Sequence, residues 1–267
     1  MKKIKFFTLA CAALTISSAM FAESASDIMK KSCNLEVPET SQCVLLMDLI
    51  DKNGNVTEHR IINQYGNKKN GITSTVFDFR APAGIKDTRI LQAEKVSKED
   101  DKYIFLPSLK TTRRIATAER TKSFVGSEYT YNDMTIRKFE DDEHTMLEEN
   151  VTMNIGGKNE NLWKIKSVPV ANKNVEYAYV IQFIDKEFYL PLRVEYYDKN
   201  NKLLKHREIE KHQYLTGESG KKYAMRMSNL IVNDVTGRQT RVMVDKVSFD
   251  KPLSDRYFTQ NWLNTGK

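Results

Sequence analysis

Beyond Pro38, apolar and polar residues alternate with a period of two almost to the end of the chain, the mark of strands with one face turned inward. Positions 44–50 are apolar at nearly every step, which predicts a strand buried on both faces. Asp51-Lys-Asn-Gly-Asn55 follows as a hairpin turn, because Asn and Gly tolerate positive φ, and 56–65 returns as the partner strand. Further strands are expected over 72–79, 88–96, 102–106, 111–116, 144–155, 162–168, 176–184, 190–197, 203–214, 222–231 and 241–249. Alternation is clearest where Leu192, Val194 and Tyr196 oppose Arg193, Glu195 and Tyr197, one face apolar and one wet. Tyr177, Tyr179, Ile181 and Phe183 share another face. Asp198-Lys-Asn-Asn201 and Asp234-Val-Thr-Gly237 read as further hairpin turns, so the strands form antiparallel meanders. Helical periodicity is weak outside three stretches. These are an N-terminal one that Ser24 or Ser26 can cap (Ile28, Met29 and Cys33 on its apolar side), residues 123–139, and residues 254–263.

A sheet of about eleven strands must curl or close to shelter its edges and its apolar face. No composition shift or Pro/Gly/Ser linker divides the chain. The expected fold class is therefore mainly β (α+β): one domain over residues 23–267, a large, strongly curved antiparallel sheet with a few helices against it.

The first twenty-two residues stand apart. Three lysines precede an apolar run from Phe6 to Met20, followed by small residues around Ala22, the order of a cleavable secretory signal peptide. The run falls short of the ~20 residues a spanning helix needs. Cleavage is expected after Ala22, with Ala19 the second choice. Cys11 follows Lys5 too closely to be a lipid-modified cysteine. Removing residues 1–22 lowers the net charge from +7 to +4, with 39 basic against 35 acidic residues, far from a nucleic-acid-binding composition. Cys33 and Cys43 remain, and an even pair in an exported chain predicts one disulfide. Two cysteines and four scattered histidines do not supply a usual structural zinc site.

Motifs for catalysis are weak. Asp51-x-Asn53-x-Asn55 opens like a calcium loop but has Val56 and Ile62 where glycine and the bidentate glutamate belong. Ser219-Gly-Lys-Lys222 has Ser-x-x-Lys spacing without the companion motifs of penicillin-interacting enzymes. No Gly-x-Ser-x-Gly elbow occurs. His206, Glu208, Glu210 and His212 share a strand face opposite Ile209 and read as a wet outer face. Gly156-Gly157-Lys158 is no phosphate loop. The basic group Lys110, Arg113, Arg114, Arg120 and Lys122, flanked by Phe105, Phe124, Tyr129 and Tyr131, has two readings. It is either a solvated hairpin end or a patch facing acidic headgroups or an acidic partner.

Two blocks carry a resemblance. Tyr103-Ile-Phe105-Leu106-Pro107-Ser-Leu109-Lys110, Arg113-Arg114-Ile115, and Ser123-Phe124-Val125-Gly126-Ser127-Glu128-Tyr129-Thr-Tyr131-Asn-Asp133 form the first. Tyr189-Leu190-Pro191-Leu192-Arg193-Val194-Glu195-Tyr196-Tyr197-Asp198 form the second. Together they resemble the outer-membrane lipoprotein-sorting family, the LolA-like exported proteins, with Val125 and Asn132 replacing a methionine and a glutamate of the family pattern. The resemblance runs from about Ala25 to the C-terminus.

It implies an incomplete antiparallel β-barrel around an apolar cavity, short lid helices, no cofactor and no covalent chemistry. The implied role is a periplasmic carrier of lipoprotein or lipid acyl chains, with an inner-membrane exporter or an outer-membrane acceptor as partner and no nucleic acid. Residues expected at the cavity are Phe77, Phe79, Leu192, Val194, Tyr196, Met225 and Met227, with either Tyr103/Phe105 or Ile104/Leu106. Leu106, Pro107, Arg113, Arg114, Phe124, Gly126, Tyr129 and Tyr131 belong to the signature, and the segment around Gly126 is expected to fold over the barrel mouth as a lid. The alternative is a non-catalytic binding or scaffolding module with its barrel filled by its own side chains; a hydrolase finds no convincing site.

Overall fold

The computed structural model describes residues 23–95, 100–135, 137–170 and 175–267. The expected signal peptide, residues 1–22, lies outside the described residues, as does Val96 at the end of one expected strand. Helix α1 (Ala25–Cys33) starts where expected: the Ser24 hydroxyl accepts the Asp27 amide at 3.1 Å, satisfying a first-turn donor.

The strands then run β1 (Thr40–Ile50), β2 (Val56–Lys69), β3 (Ile72–Ala81), β4 (Arg89–Ala93), β5 (Asp101–Leu106) and β6 (Thr111–Arg114). After a connection over residues 115–141 come β7 (Asp142–Ile155), β8 (Lys158–Pro169), β9 (Tyr179–Asp185), β10 (Pro191–Tyr197), β11 (Leu203–Thr216), β12 (Lys222–Asn233) and β13 (Gln239–Phe249). A 3-10 turn (Asp255–Phe258) and helix α2 (Gln260–Thr265) end the chain.

All thirteen strands belong to one antiparallel sheet, in the order β6-β5-β4-β3-β2-β1-β13-β12-β11-β10-β9-β8-β7. The expected curved, unclosed sheet with few helices is what forms among the described residues; its thirteen strands correspond to the thirteen segments marked by alternation, two more than the rounded figure of about eleven. The hairpins run longer than the alternation suggested, β2 to Lys69 and β8 from Lys158. Asn70-Gly71 and Gly156-Gly157, all at positive φ, turn the chain in two residues. Gly156 is required for space as well, since a Cβ there would lie 2.1 Å from the Glu210 carbonyl oxygen.

Each consecutive pair of strands is a hydrogen-bonded neighbour except β6 and β7, which are the two edges. The 115–141 connection therefore has to travel from one edge to the other across the concave face. It carries Ile115, Phe124, Tyr129 and Tyr131, all buried against Leu45 and Met47 of β1, Ile62 of β2 and Phe79 of β3. Polar contacts hold it along the way. Arg60 of β2 donates to the Val125 carbonyl at 2.6 Å, and the Glu128 amide donates to the Thr240 hydroxyl of β13 at 3.0 Å. Lys205 of β11 lies 2.7 Å from Asp133 and 2.9 Å from Glu176, which also accepts from Thr130 and Asn132. Burial pushes the Glu176 carboxyl up, but Lys205 and these donors outweigh it and hold it below the usual range.

Three expectations are corrected. Residues 123–135 form turns with a bridge between Ser123 and Thr130, and among the described residues of 123–139 there is no helix before the 3-10 turn at Phe139–Asp141. The Ser123 and Ser127 hydroxyls bond the Ser127 and Phe124 carbonyls, offering the backbone local partners that compete with a helix, and Val125 and Gly126 both take positive φ. Strand β1 is fully buried on one face only: Cys43, Leu45, Met47 and Leu49 point inward, while Val44, Leu46 and Asp48 are half-buried on the other side.

The Cys33–Cys43 disulfide is absent, and both thiols are free. Cys33 at the end of α1 packs near Phe139, Met146 and Trp163, whereas β1 aims Cys43 into the cluster around Leu45 and Ile62. The convex face of β3–β5 is covered by α2: Trp262 and Leu263 pack on Val76, Leu91 and Phe105. Arg89 donates to the Leu263 carbonyl at 2.9 Å and lies over the Phe105 and Trp262 rings.

Three outcomes follow from these contacts. Lys205→Met strands two carboxylates in a largely buried site and is expected to cost about 3–5 kcal/mol in urea unfolding; an unchanged midpoint refutes the pinning role. Burial raises the Cys33 thiol to about 11 and Cys43 to about 12. At pH 8, iodoacetamide without reductant should therefore label both cysteines in urea and leave Cys43 untouched in the native protein, whereas a disulfide leaves both unlabelled in urea. Lys102 of β5, 1 % exposed and donating to the Gln92 side-chain Oε1 at 2.6 Å, is pulled down to about 8 by burial. Between that value and the unfolded pKa near 10.4 the unfolded chain binds more protons, so stability should rise with pH across this window by on the order of 3 kcal/mol. Lys102→Met should flatten that rise in pH-dependent urea melts.

Candidate functional site

The concave face is only partly filled by the crossing connection. Beside Phe124 and Tyr129 lies a cavity of about 880 Å³, within the ~300–1,000 Å³ span of ligand pockets. Its walls come from both halves of the sheet: Leu45 and Met47 of β1, Ile62 of β2, Phe77 of β3 and Val242 of β13 on one side, Val180, Val194 and Tyr196 of β9 and β10 on the other. Met29 and Cys33 of α1 close one end, and Phe124, Tyr129 and Met134 of the connection form the roof. Period-two alternation explains the wall, since Leu45 and Met47, like Val194 and Tyr196, are two residues apart on one strand face.

Polar and charged side chains make up about half of the lining, Gln64, Asp133, Gln182 and Asn229 among them. Arg137 clasps Asp142 with two hydrogen bonds, 2.8 and 2.5 Å, beside Tyr177. Lys205 sits 4.8 Å from the Tyr196 ring centre while it holds Asp133 and Glu176. Arg207 of β11 and Arg226 of β12 also face the cavity. Burial, then the neighbouring Arg207 charge, pulls Arg226 down to about 10. Burial pushes the Tyr129, Tyr177 and Tyr196 phenols up, so all three stay protonated donors.

Of the residues singled out from the sequence, Phe77, Val194 and Tyr196 line the cavity, and Phe124 and Tyr129 roof it. Phe79 is fully buried in the core beside Phe124, their ring centres 6.1 Å apart. Strand register slips between Pro191 and Arg193, and Leu192 packs with Phe183, Leu190 and Ile209 away from the cavity lining. Tyr103 and Phe105 lie on the convex face with Trp262, and their neighbour Ile104 points to the concave core. Met225 packs against that core; Met227 is half-buried and lines no part of the cavity.

The first signature block splits in two. Leu106-Pro107 begins the turn between β5 and β6, where the Lys110 amide bonds the Pro107 carbonyl at 3.2 Å. Arg113 pairs with Glu119 at 2.7 Å, Lys122 reaches the same carboxylate at 3.4 Å, and Arg114 pairs with Asp101 at 2.9 Å, so part of the basic group is neutralised within the chain. Gly126 sits at φ +77° in the turn that brings Phe124 and Tyr131 ring to ring at 5.6 Å.

The sequence reading missed Leu45, Met47, Ile62, Val180 and Val242, whose inward face the alternation contained. It also missed Arg207, which shares a strand face with Ile209 and was legible by that spacing. Nothing in the pattern marked Arg226.

A family model described as an uncharacterized protein matches residues 71–265. Among solved structures, an outer membrane lipoprotein-sorting protein domain from Vibrio parahaemolyticus is 24 % identical with a TM-score of 0.77, covering 90 % of this chain and 98 % of that one. A DUF1329 family protein from Desulfovibrio piger is 20 % identical with a TM-score of 0.78, at 90 % and 97 % coverage. A LolA superfamily protein from Nitrosomonas europaea is 16 % identical with a TM-score of 0.63, at 90 % and 100 % coverage. No curated protein matches the chain. The chain belongs to the family that the model over residues 71–265 describes as an uncharacterized protein, and its fold is the LolA-like fold of the outer-membrane lipoprotein-sorting proteins.

Proposed function

We propose that residues 23–267 form an exported, non-enzymatic carrier that shelters acyl chains of a lipoprotein or lipid in the cavity and ferries them across the periplasm. An inner-membrane exporter would load it and an outer-membrane acceptor would unload it. The observation that carries this reading is the cavity itself, about 880 Å³ with a row of apolar side chains from each half of the sheet within a mixed lining. Each CH₂ moved there from water is worth about 0.8 kcal/mol, so a chain of a dozen carbons would be held firmly. The shared fold with a lipoprotein-sorting domain supports the same class of cargo.

The chemistry of the lining also favours binding over catalysis. The cavity's thiol, Cys33, is pushed up to about 11 by burial, the wrong direction for a nucleophile. Asp133 and Asp142 are held by Lys205 and Arg137. For the segment around Gly126 to act as a lid, Phe124 and Tyr129 must leave the core, at about 2–3 kcal/mol each by area burial. Release on this reading needs a docking partner that repays that cost.

One observation favours the filled-barrel scaffold instead: Phe124, Tyr129 and Tyr131 already occupy part of the concavity. Val194→Trp separates the two. With a ligand cavity, the variant should fail to displace a fluorescent fatty acid from the site while its melting temperature changes little. With an interior that only packs on itself, binding is absent in both proteins and overpacking lowers stability by about 1–3 kcal/mol.

A further inference from the structure

Arg207 and Arg226 are the unusual feature of the cavity. They lie on neighbouring strands, both are part-buried, and both line the cavity. Among the described residues neither side chain makes a hydrogen bond or an ion pair, and the Nε atom of each is buried without a partner. Of the carboxylates in the lining, Asp133 is held by Lys205 and Asp142 by Arg137. Lys205 makes the contrast plain: it shares a face of β11 with Arg207, two residues away, and has two carboxylates where Arg207 has none.

Two part-buried guanidinium groups without a side-chain partner, lining one cavity, repel each other and forgo the bidentate pairing that makes arginine suited to buried sites. The Tyr129 and Tyr196 hydroxyls border the same region and make no hydrogen bond among the described residues, and burial keeps them protonated as donors. The donor set is complete and the acceptor is missing.

We propose that Arg207 and Arg226, with the Tyr129 and Tyr196 hydroxyls, bind the acidic head of an amphiphile, a carboxylate or a phosphate, whose chain lies along Leu45, Met47 and Ile62. The proposal rests on the carrier reading and narrows its cargo. The lipid anchor of a triacylated lipoprotein carries ester and amide groups and no charge, so it offers these arginines nothing to neutralise. An acidic lipid does.

The test is competition against a bound fluorescent fatty acid on the purified chain, using matched pairs: palmitic acid against methyl palmitate, and dipalmitoyl phosphatidate against dipalmitoylglycerol. Each acid should bind about tenfold or more tighter than its uncharged partner, the scale of charge-assisted hydrogen bonds. The pair with the larger preference tells carboxylate from phosphate. The double variant Arg207→Gln/Arg226→Gln should lose the preference, keep the affinity for the uncharged partners, and melt no lower than the parent, since it removes two uncompensated charges. Equal binding of acid and uncharged partner, or a preference that survives the double variant, overturns the proposal and leaves the carrier reading standing. Binding of neither member of any pair overturns both. Inorganic phosphate protecting against heat as well as the lipids do would also overturn it, because the chain would then play no part. Should the double variant fail to fold, the parent protein's acid-to-ester comparison decides alone.

Discussion

A single open sheet has two edges, and in this chain one stretch of backbone must join them. Strands β6 and β7 are consecutive in sequence and lie at opposite ends of the sheet order. Residues 115–141 therefore cross the concave face, and almost everything else about the interior follows. The crossing is driven by aromatic burial, with Phe124 only 1 % exposed and in ring contact with Phe77, Phe79 and Tyr131. It is aimed by polar contacts to β2, β11 and β13. Where its side chains reach, the concavity is core; where they stop, it is cavity.

The two faces of the sheet are both apolar in places, for different reasons. On the convex side, Val76, Leu91 and Phe105 need a cover, and α2 supplies it with Trp262 and Leu263. On the concave side, β1 and β10 present apolar rows to the cavity. The edges are blunted by charge: β6 carries Arg113 and Arg114, and β7 carries Glu143, Glu148 and Glu149, which discourages edge-to-edge pairing of copies.

Charge inside the molecule divides the same way. Lys205 with Asp133 and Glu176, and Arg137 with Asp142, are completed networks that locate the crossing segment. Arg207 and Arg226 are incomplete ones. Buried charges that the fold has satisfied serve register and packing. Part-buried charges that it has left without a partner, lining the cavity, mark where a ligand's charge would be worth most.

Much of this was written in local pattern. Alternation located every strand run from Val44 to Phe249 and the hairpin turns at Asp51–Asn55 and Asp198–Asn201, because side-chain direction in a strand depends only on the parity of neighbouring positions. The capping hydroxyl of Ser24 was equally local. Local pattern could not decide which face of a strand is concave. Phe105 and Ile104 are both apolar, and only the docking of Trp262 against one and Phe124 against the other separates them. Nor could it show that Leu192 packs apart from Val194, since the slip arises in pairing with β9. The periodicity of residues 123–139 suggested a helix, but the need to cross a curved interior imposes turns on its described residues. Cys33 and Cys43, ten positions apart, looked paired, yet α1 and β1 carry them into different clusters. Strand and turn are properties of neighbouring residues; cavity, crossing path and unpaired charge exist only once the two edges of the sheet have been brought round toward each other.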